Sequence, residues 1–224
     1  MRFEPRHGGR SAFRFGGGLG NAHTFHVLMP AEEFYSSHPE YYSWCGGKRL
    51  NCRYQLCLSN PDVLRIVIER VRARIDSDPH AKYFGVSKED YPNQTRLHRH
   101  IHSIEEEDNE NYCRCDNCAR IDAEEHSHAG TLIRFVNSVA AEIAKTHPGA
   151  VISTLAYQYS RKPPAKTRPL SNVMLVLCTS GCEFSRPLNA SDSGGNHEFC
   201  RDLAEWSRLN GRLYIWDYNT NFRH

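Results

Sequence analysis

The sequence has 224 residues, with 28 Lys+Arg against 26 Asp+Glu, a formal charge of +2 when histidines are neutral. At 39% apolar and 24% charged residues it reads as one α/β domain with a core of its own, not a disordered chain. No apolar run reaches the roughly 18 residues of a membrane span, MRFEPRHGGR lacks the apolar region of a signal peptide, and the near-neutral balance gives no basic field for nucleic acid, so neither membrane nor nucleic acid is an expected partner.

Residues 1–21 are rich in Gly and Arg and read as a loop or a cut end. His23 to Met29 is a short β-prone run, and Pro30 suits the first turn of a helix through AEEFYSSHPEYY. Asn60 followed by Pro61 is a helix start, with Val63, Leu64, Val67, Val71 and Ile75 repeating at helical spacing behind it. Lys82 to Ser87 reads as a buried strand, and the polar stretch after it contains a Cys/His-rich insertion at about 91–120. Leu132, Ile133, Phe135, Val136, Val139, Ala140 and Ile143 mark a further helix, stopped near Pro148-Gly149. Strands are predicted at 151–159, 172–178 and 212–218. A Pro-rich loop separates the first two, and a helix from about His197 to Leu209 precedes the last.

Strands apolar on both faces, separated mostly by amphipathic helices, predict a parallel sheet covered on both sides. Five such strands are visible, and none is followed by a Gly-x-Gly-x-x-Gly turn or a P-loop. A complete (β/α)₈ barrel takes about 250 residues. The chain therefore reads as an incomplete TIM-type barrel over residues 22–224, cut at both ends. The helix-free link before residue 172 is an irregularity in that scheme.

Chemistry in parallel α/β folds gathers at the carboxyl ends of the strands. Those ends carry Asp90, Glu183 and Asp217 as candidate catalytic carboxylates. Around them stand His23, His26, Tyr157, Gln158, Tyr159, Trp216 and Tyr218 as candidate substrate-binding groups. Carboxylates among aromatic rings are what a glycosidase uses. One acid protonates the leaving oxygen, a carboxylate or the substrate's own acetamido group stabilises the anomeric carbon, and ring faces bind the sugar. Adjacent strand residues point to opposite faces, so only one of Glu89 and Asp90 enters the site, and Asp90, further out, is the preferred acid. The competing reading pairs Asp217 and Glu183 with helix ends or arginines and places the aromatics in the core.

Nine cysteines are present, three of them as Cys113-x-Cys115-x-x-Cys118. That spacing offers three corners of a tetrahedral structural zinc, with His126, His128 or a distant cysteine as the fourth ligand; a loop of reduced or disulfide-linked thiols is the alternative. His98, His100 and His102 alternate beside an acidic run and read as a solvated loop. No Gly-x-Ser-x-Gly elbow is present.

The segments HTFHVLMPAEEFYSSHPEYYS, QLCLSNPDVLRI, YCRCDNCARIDAEE, GTLIRFVN, TLAYQYSRKPP and LYIWDYNTNF resemble a bacterial glycoside hydrolase group long catalogued as a domain of unknown function. Some of its members are endo-β-N-acetylglucosaminidases acting on complex N-glycans. The resemblance covers about residues 22–224. It implies a TIM barrel, normally preceded by an α-glucuronidase-like α/β domain that this sequence lacks. It also implies a glycan substrate, no required cofactor, and a periplasmic or secreted setting. Asp90, His23, Tyr157-Gln158-Tyr159 and Trp216-Asp217-Tyr218 match the family pattern. Lys88-Glu89 stands where the family has Gln-Asn, and Gly181 where it tends to have a glutamate, with Glu183 the nearest substitute. The loop from about Thr95 to Glu110 looks inserted. Gly181 keeps open a non-catalytic carbohydrate-binding barrel or an inactive fragment, and the cysteine cluster a metal-stabilised scaffold.

Overall fold

The computed structural model describes residues 15–18, 20, 22–50, 55–90, 112–189, 194–209 and 211–218. Three of its helices are long. Helix α3 (Pro61–Ser77) starts where Asn60 accepts hydrogen bonds from the N–H groups of Asp62 and Val63, with Pro61 in the first turn. It buries Val63, Ile66, Val67, Val71 and Ile75, one stripe at helical spacing. Helix α5 (Ala129–Ala144) buries the seven apolar positions named above, and α6 (Gly194–Leu209) buries Phe199 and Trp206. Before α3 come two single turns, α1 (Phe25–Leu28) and α2 (Ala31–Phe34), and a small antiparallel pair, β1 (Trp44–Cys45) with β2 (Lys48–Arg49). Helix α4 (Asp116–Glu125) lies between α3 and α5 in the chain.

The main sheet has four parallel strands in the order β3 (Tyr83–Gly85), β4 (Val151–Ala156), β5 (Val173–Cys178) and β6 (Leu213–Trp216). Every residue of β4 and β5 is buried; β5 is apolar throughout, and β4 is apolar except for Ser153 and Thr154. The faces nonetheless separate by alternation. Phe84, Ile152, Val173, Leu175 and Leu177 pack with the apolar sides of α3, α5 and α6. Tyr83, Val151, Leu155, Met174, Val176 and Cys178 form the opposite face, with Tyr157, Tyr214, Trp216 and Tyr218 beside them. Strand order follows chain order. Right-handed crossovers then put successive connections on one face, which is where the three long helices lie.

The predicted strand at 23–29 is a correction. Phe25 and Leu28, three residues apart, turn into the helical core as α1. Thr24 binds the end of β3 instead of running along it: its hydroxyl donates to the Gly85 carbonyl and accepts from the Ser87 N–H. Four strands of the predicted five therefore stand in the main sheet among the described residues. The helix predicted through Tyr42 also shrinks to α2 and a 3₁₀ turn, Pro39–Tyr41, because His38 precedes a proline and leaves the helical region at φ −137°, ψ 62°. Strand β4 stops at Ala156, three residues short of its predicted end. The polar stretch produces α4, which has only Cys118 and Glu125 buried and so lacks an apolar stripe.

The connection from β4 to β5 carries no α-helix, as predicted, and Glu125 holds it instead. Lys166 N–H and Thr167 N–H donate to Glu125 Oε2 at 2.8 and 2.9 Å, and the Thr167 hydroxyl and Arg134 donate to Oε1. Pro163, Pro164 and Pro169 have no N–H, so this loop has few donors for regular structure. Burial works to raise the Glu125 pKa, but the Thr167 and Lys166 hydrogen bonds and Arg134 outweigh it and hold the carboxyl down at about 2. A depressed folded pKa contributes stability that is complete above about pH 4.5 and lost as pH falls toward 2. Glu125→Gln is expected to destabilise by about 3 kcal/mol at pH 7. The difference from the parent should narrow at pH 3 in urea unfolding, and an equal gap at both pH values would contradict this account.

Candidate active site and thiolate cluster

Beyond β3 the chain stays buried through Ser87, Lys88 and Glu89 and emerges at Asp90. Lys88 is fully buried, and its ammonium lies 4.7 Å from the ring centre of Tyr157 and 4.5 Å from that of Tyr159. It donates to Gln158 Oε1 at 2.7 Å, and Gln158 Nε2 donates to Asp90 Oδ1 at 3.2 Å. An ammonium can only donate, so Lys88 fixes which end of the Gln158 amide faces it and turns the NH₂ toward Asp90. Gln158 sits at φ +50°, a conformation uncommon for any residue but glycine, and Ser160 closes the turn by donating to the Leu155 carbonyl.

Asp90 and Tyr218 both act on the Tyr157 phenol. Burial first, then the Asp90 charge, pushes the Tyr157 phenol up, so it remains protonated and able to donate. Burial likewise raises Tyr218. His23 approaches the Lys88 carbonyl at 3.0 Å through Nδ1, and its ring stands edge-on to Tyr157 at 6.2 Å. The structure thus gathers Asp90, Tyr157, Gln158, Tyr218 and His23, with Tyr159 joined through Lys88. A cleft of about 520 Å³ adjoins them, walled by Tyr157, Tyr159, Arg161, Gly181 and Asp202 among others.

The other predicted residues have different surroundings. His26 meets Glu89 instead of Asp90: its N–H donates to Glu89 Oε1 at 2.9 Å, and Nδ1 lies at the same distance. Asp217 accepts from the Thr179 hydroxyl at 3.1 Å at the end of β6, and Trp216 packs 6.3 Å from Tyr218. Glu183 is exposed and taken up by Ser185 and Arg186. Gly181 is at φ +87°, and α6 approaches it so closely that a Cβ on Gly195 would fall 2.1 Å from the Gly181 carbonyl oxygen. A side chain at 181 would therefore be strained, whatever the space around it. Sequence reasoning missed Lys88 as a site residue, since a lysine after a strand carries no sign of burial; the aromatic pair of the YQY segment was its only trace. His98, His100 and His102 lie outside the described residues.

The distant cysteine is Cys57. Its sulfur and those of Cys113, Cys115 and Cys118 all lie within 4.8 Å of one another, so these four residues can hold a metal. His128 turns to Asp122 at 2.7 Å, and His126 takes a left-handed conformation at the end of α4. The Trp44 N–H donates to the Cys113 sulfur at 3.3 Å, and Ser59 is bonded to Cys118 at 3.1 Å. The Cys113 and Cys118 thiols donate to Cys57 and push it far below the usual thiol range. Cys118 works to lower Cys113, but facing Cys57 and buried, Cys113 is pushed up to about 12; Cys118 is raised by Cys113 first, then by Cys57 and by burial. A metal would bind these sulfurs as thiolates, so its uptake would release protons from the cluster.

The family model described as "Domain of unknown function (DUF4838)" matches residues 2–99 and 94–224 of the chain. No curated protein and no solved structure matches it.

Lys88→Met keeps the bulk of the side chain but removes the donor that orients Gln158. It is expected to destabilise by about 1.5–3 kcal/mol, the worth of a hydrogen bond from a charged donor, read from the denaturant midpoint. An unchanged midpoint would show that the Lys88–Gln158 bond adds no net stability.

Proposed function

We propose that this chain, which belongs to the DUF4838 family, is barrel-forming sequence of a glycoside hydrolase of the endo-β-N-acetylglucosaminidase type, acting on N-acetylglucosamine-containing glycans. The observation that carries this reading is Asp90, exposed beyond the carboxyl end of β3, where it accepts from the side-chain amide of Gln158 in the segment after β4. Support comes also from the motifs that resemble the glycosidase group, and from strands in chain order with helices on one face, the repeat that closes into a (β/α)₈ barrel.

Asp90 accepts a hydrogen bond from the Gln158 amide, which suits a carboxylate that orients the substrate's acetamido group. The acetamido oxygen then attacks the anomeric carbon as the glycosidic C–O bond breaks, and the leaving oxygen takes a proton. Asp217 is the candidate donor of that proton, with Glu183 the alternative. Tyr157, Tyr218 and Trp216 offer ring faces for the sugar, and His23 and Tyr159 complete the wall.

A second reading, glycan binding without cleavage, is favoured by one observation: Gly181 stands at the cleft and the nearest glutamate pairs with Arg186. Incubation with a complex N-glycan separates the two. The enzyme reading expects a product with one N-acetylglucosamine at its new reducing end, and a loss of about 10²–10⁴-fold in Asp90→Asn. Binding without that product would install the second reading, and neither binding nor product would overturn both.

The four cysteines are read as a structural zinc site. Zn–S bonds of about 2.3 Å in a tetrahedron put sulfurs about 3.8 Å apart, close to the 3.6 Å between Cys57 and Cys115. Four sulfur ligands leave no open position for water or substrate, which separates the metal from the chemistry. About one zinc per chain is expected by elemental analysis under reducing conditions. Cys57→Ser should lose it, and a metal-free parent protein would overturn the assignment.

A further inference from the structure

We propose that the metal held by Cys57, Cys113, Cys115 and Cys118 fixes the end of β3, with Gln55 as the link between the two. Gln55 is a positioning residue in this scheme, and the proposal rests on the zinc reading.

Gln55 lies two residues before Cys57 and is buried. Its side-chain amide pairs with the main chain of Glu89 in both directions: Nε2 donates to the Glu89 carbonyl at 2.9 Å, and the Glu89 N–H donates to Oε1 at 3.0 Å. One side chain thus does for Glu89 what a neighbouring strand would do. The Glu89 carboxylate in turn receives the His26 N–H at 2.9 Å. Lys88 and Asp90, the residues on either side, hold Gln158 between them. Any displacement of Gln55 therefore reaches the peptide between the two polar residues of the candidate site.

The segment carrying Gln55 has no regular secondary structure of its own. Its main chain is tied to the preceding hairpin: the Gln55 carbonyl accepts from the Ser43 N–H and hydroxyl at 2.9 and 2.7 Å, and the Cys57 N–H donates to Tyr41 at 2.8 Å. The hairpin is tied in turn to the cysteine run, since the Arg114 N–H donates to Trp44 at 2.8 Å. A metal would close this ring of contacts covalently, joining Cys57 to Cys113, Cys115 and the first turn of α4. Without it, weak thiol hydrogen bonds replace the bonds to the ion, and the segment is held from one side.

Amide hydrogen exchange reads the link directly, because the N–H groups of Glu89 and His26 are themselves the donors. Zinc content, measured first, decides the zinc reading separately from this one. Stripping zinc with a strong chelator under reducing conditions is expected to lower the protection of Glu89 and His26 by at least about tenfold, while Leu155 and Val176 in the sheet keep theirs. Zinc-loaded Gln55→Ala should reproduce the loss at Glu89 with its metal content intact. Unchanged protection of Glu89 in the stripped protein would overturn the proposal, as would full protection in Gln55→Ala. A loss spread evenly over β4 and β5 would also overturn it, since the metal would then act on the whole fold.

Discussion

Complete burial of β4 and β5 constrains everything else in this molecule. Two strands with no solvent face leave no place for charge along their length, so polar side chains gather where the strands stop. The helical face is closed by aliphatic and aromatic packing from α3, α5 and α6. The other face grades, toward the carboxyl ends, from Val151 and Met174 to the tyrosines and Trp216. Asp90 is the first exposed residue after β3 because the chain has by then run past its neighbours.

At that boundary a cation and an amide establish polarity. Lys88 is buried between two tyrosine rings, where an isolated ammonium would be costly, and the ring faces together with the Gln158 carbonyl offset that cost. The same arrangement leaves the Gln158 NH₂ aimed at the Asp90 carboxylate. The peptide run at this boundary is Lys88-Glu89. These two residues divide the work, Lys88 holding the site's amide and Glu89 holding His26.

Much of the scaffold was legible because its signals are local. Asn60-Pro61 and the stripe behind it set α3, and the apolar run of β5 and the largely apolar, β-branched run of β4 marked buried strands. The helix through Tyr42 was misread for a local reason, the proline after His38, whereas other features depend on contacts made far along the chain. Thr24 ends a strand pattern by bonding to Gly85 and Ser87, more than sixty residues away. Cys57 joins Cys113, Cys115 and Cys118 across a similar distance, so the cluster was visible as three ligands and completed only in space. Asp90, Tyr157, Gln158 and Tyr218 were legible as strand-end residues, whereas Lys88 was not, since nothing in a sequence distinguishes a buried lysine from a solvated one.

Helix α4 inverts the usual logic of an amphipathic helix. Cys118, Asp122 and Glu125 recur at i, i+4 and i+7, the positions an ordinary surface helix gives to leucine, and each has its own partner: the other cysteines, Thr131 with His128, and the Pro-rich loop with Arg134. A greasy stripe is forgiving, because it can slide or roll against its neighbours at modest cost. A stripe of acids and sulfur fits in one register only. The docking of α4 is therefore locked by its inward residues, like a key held by its teeth.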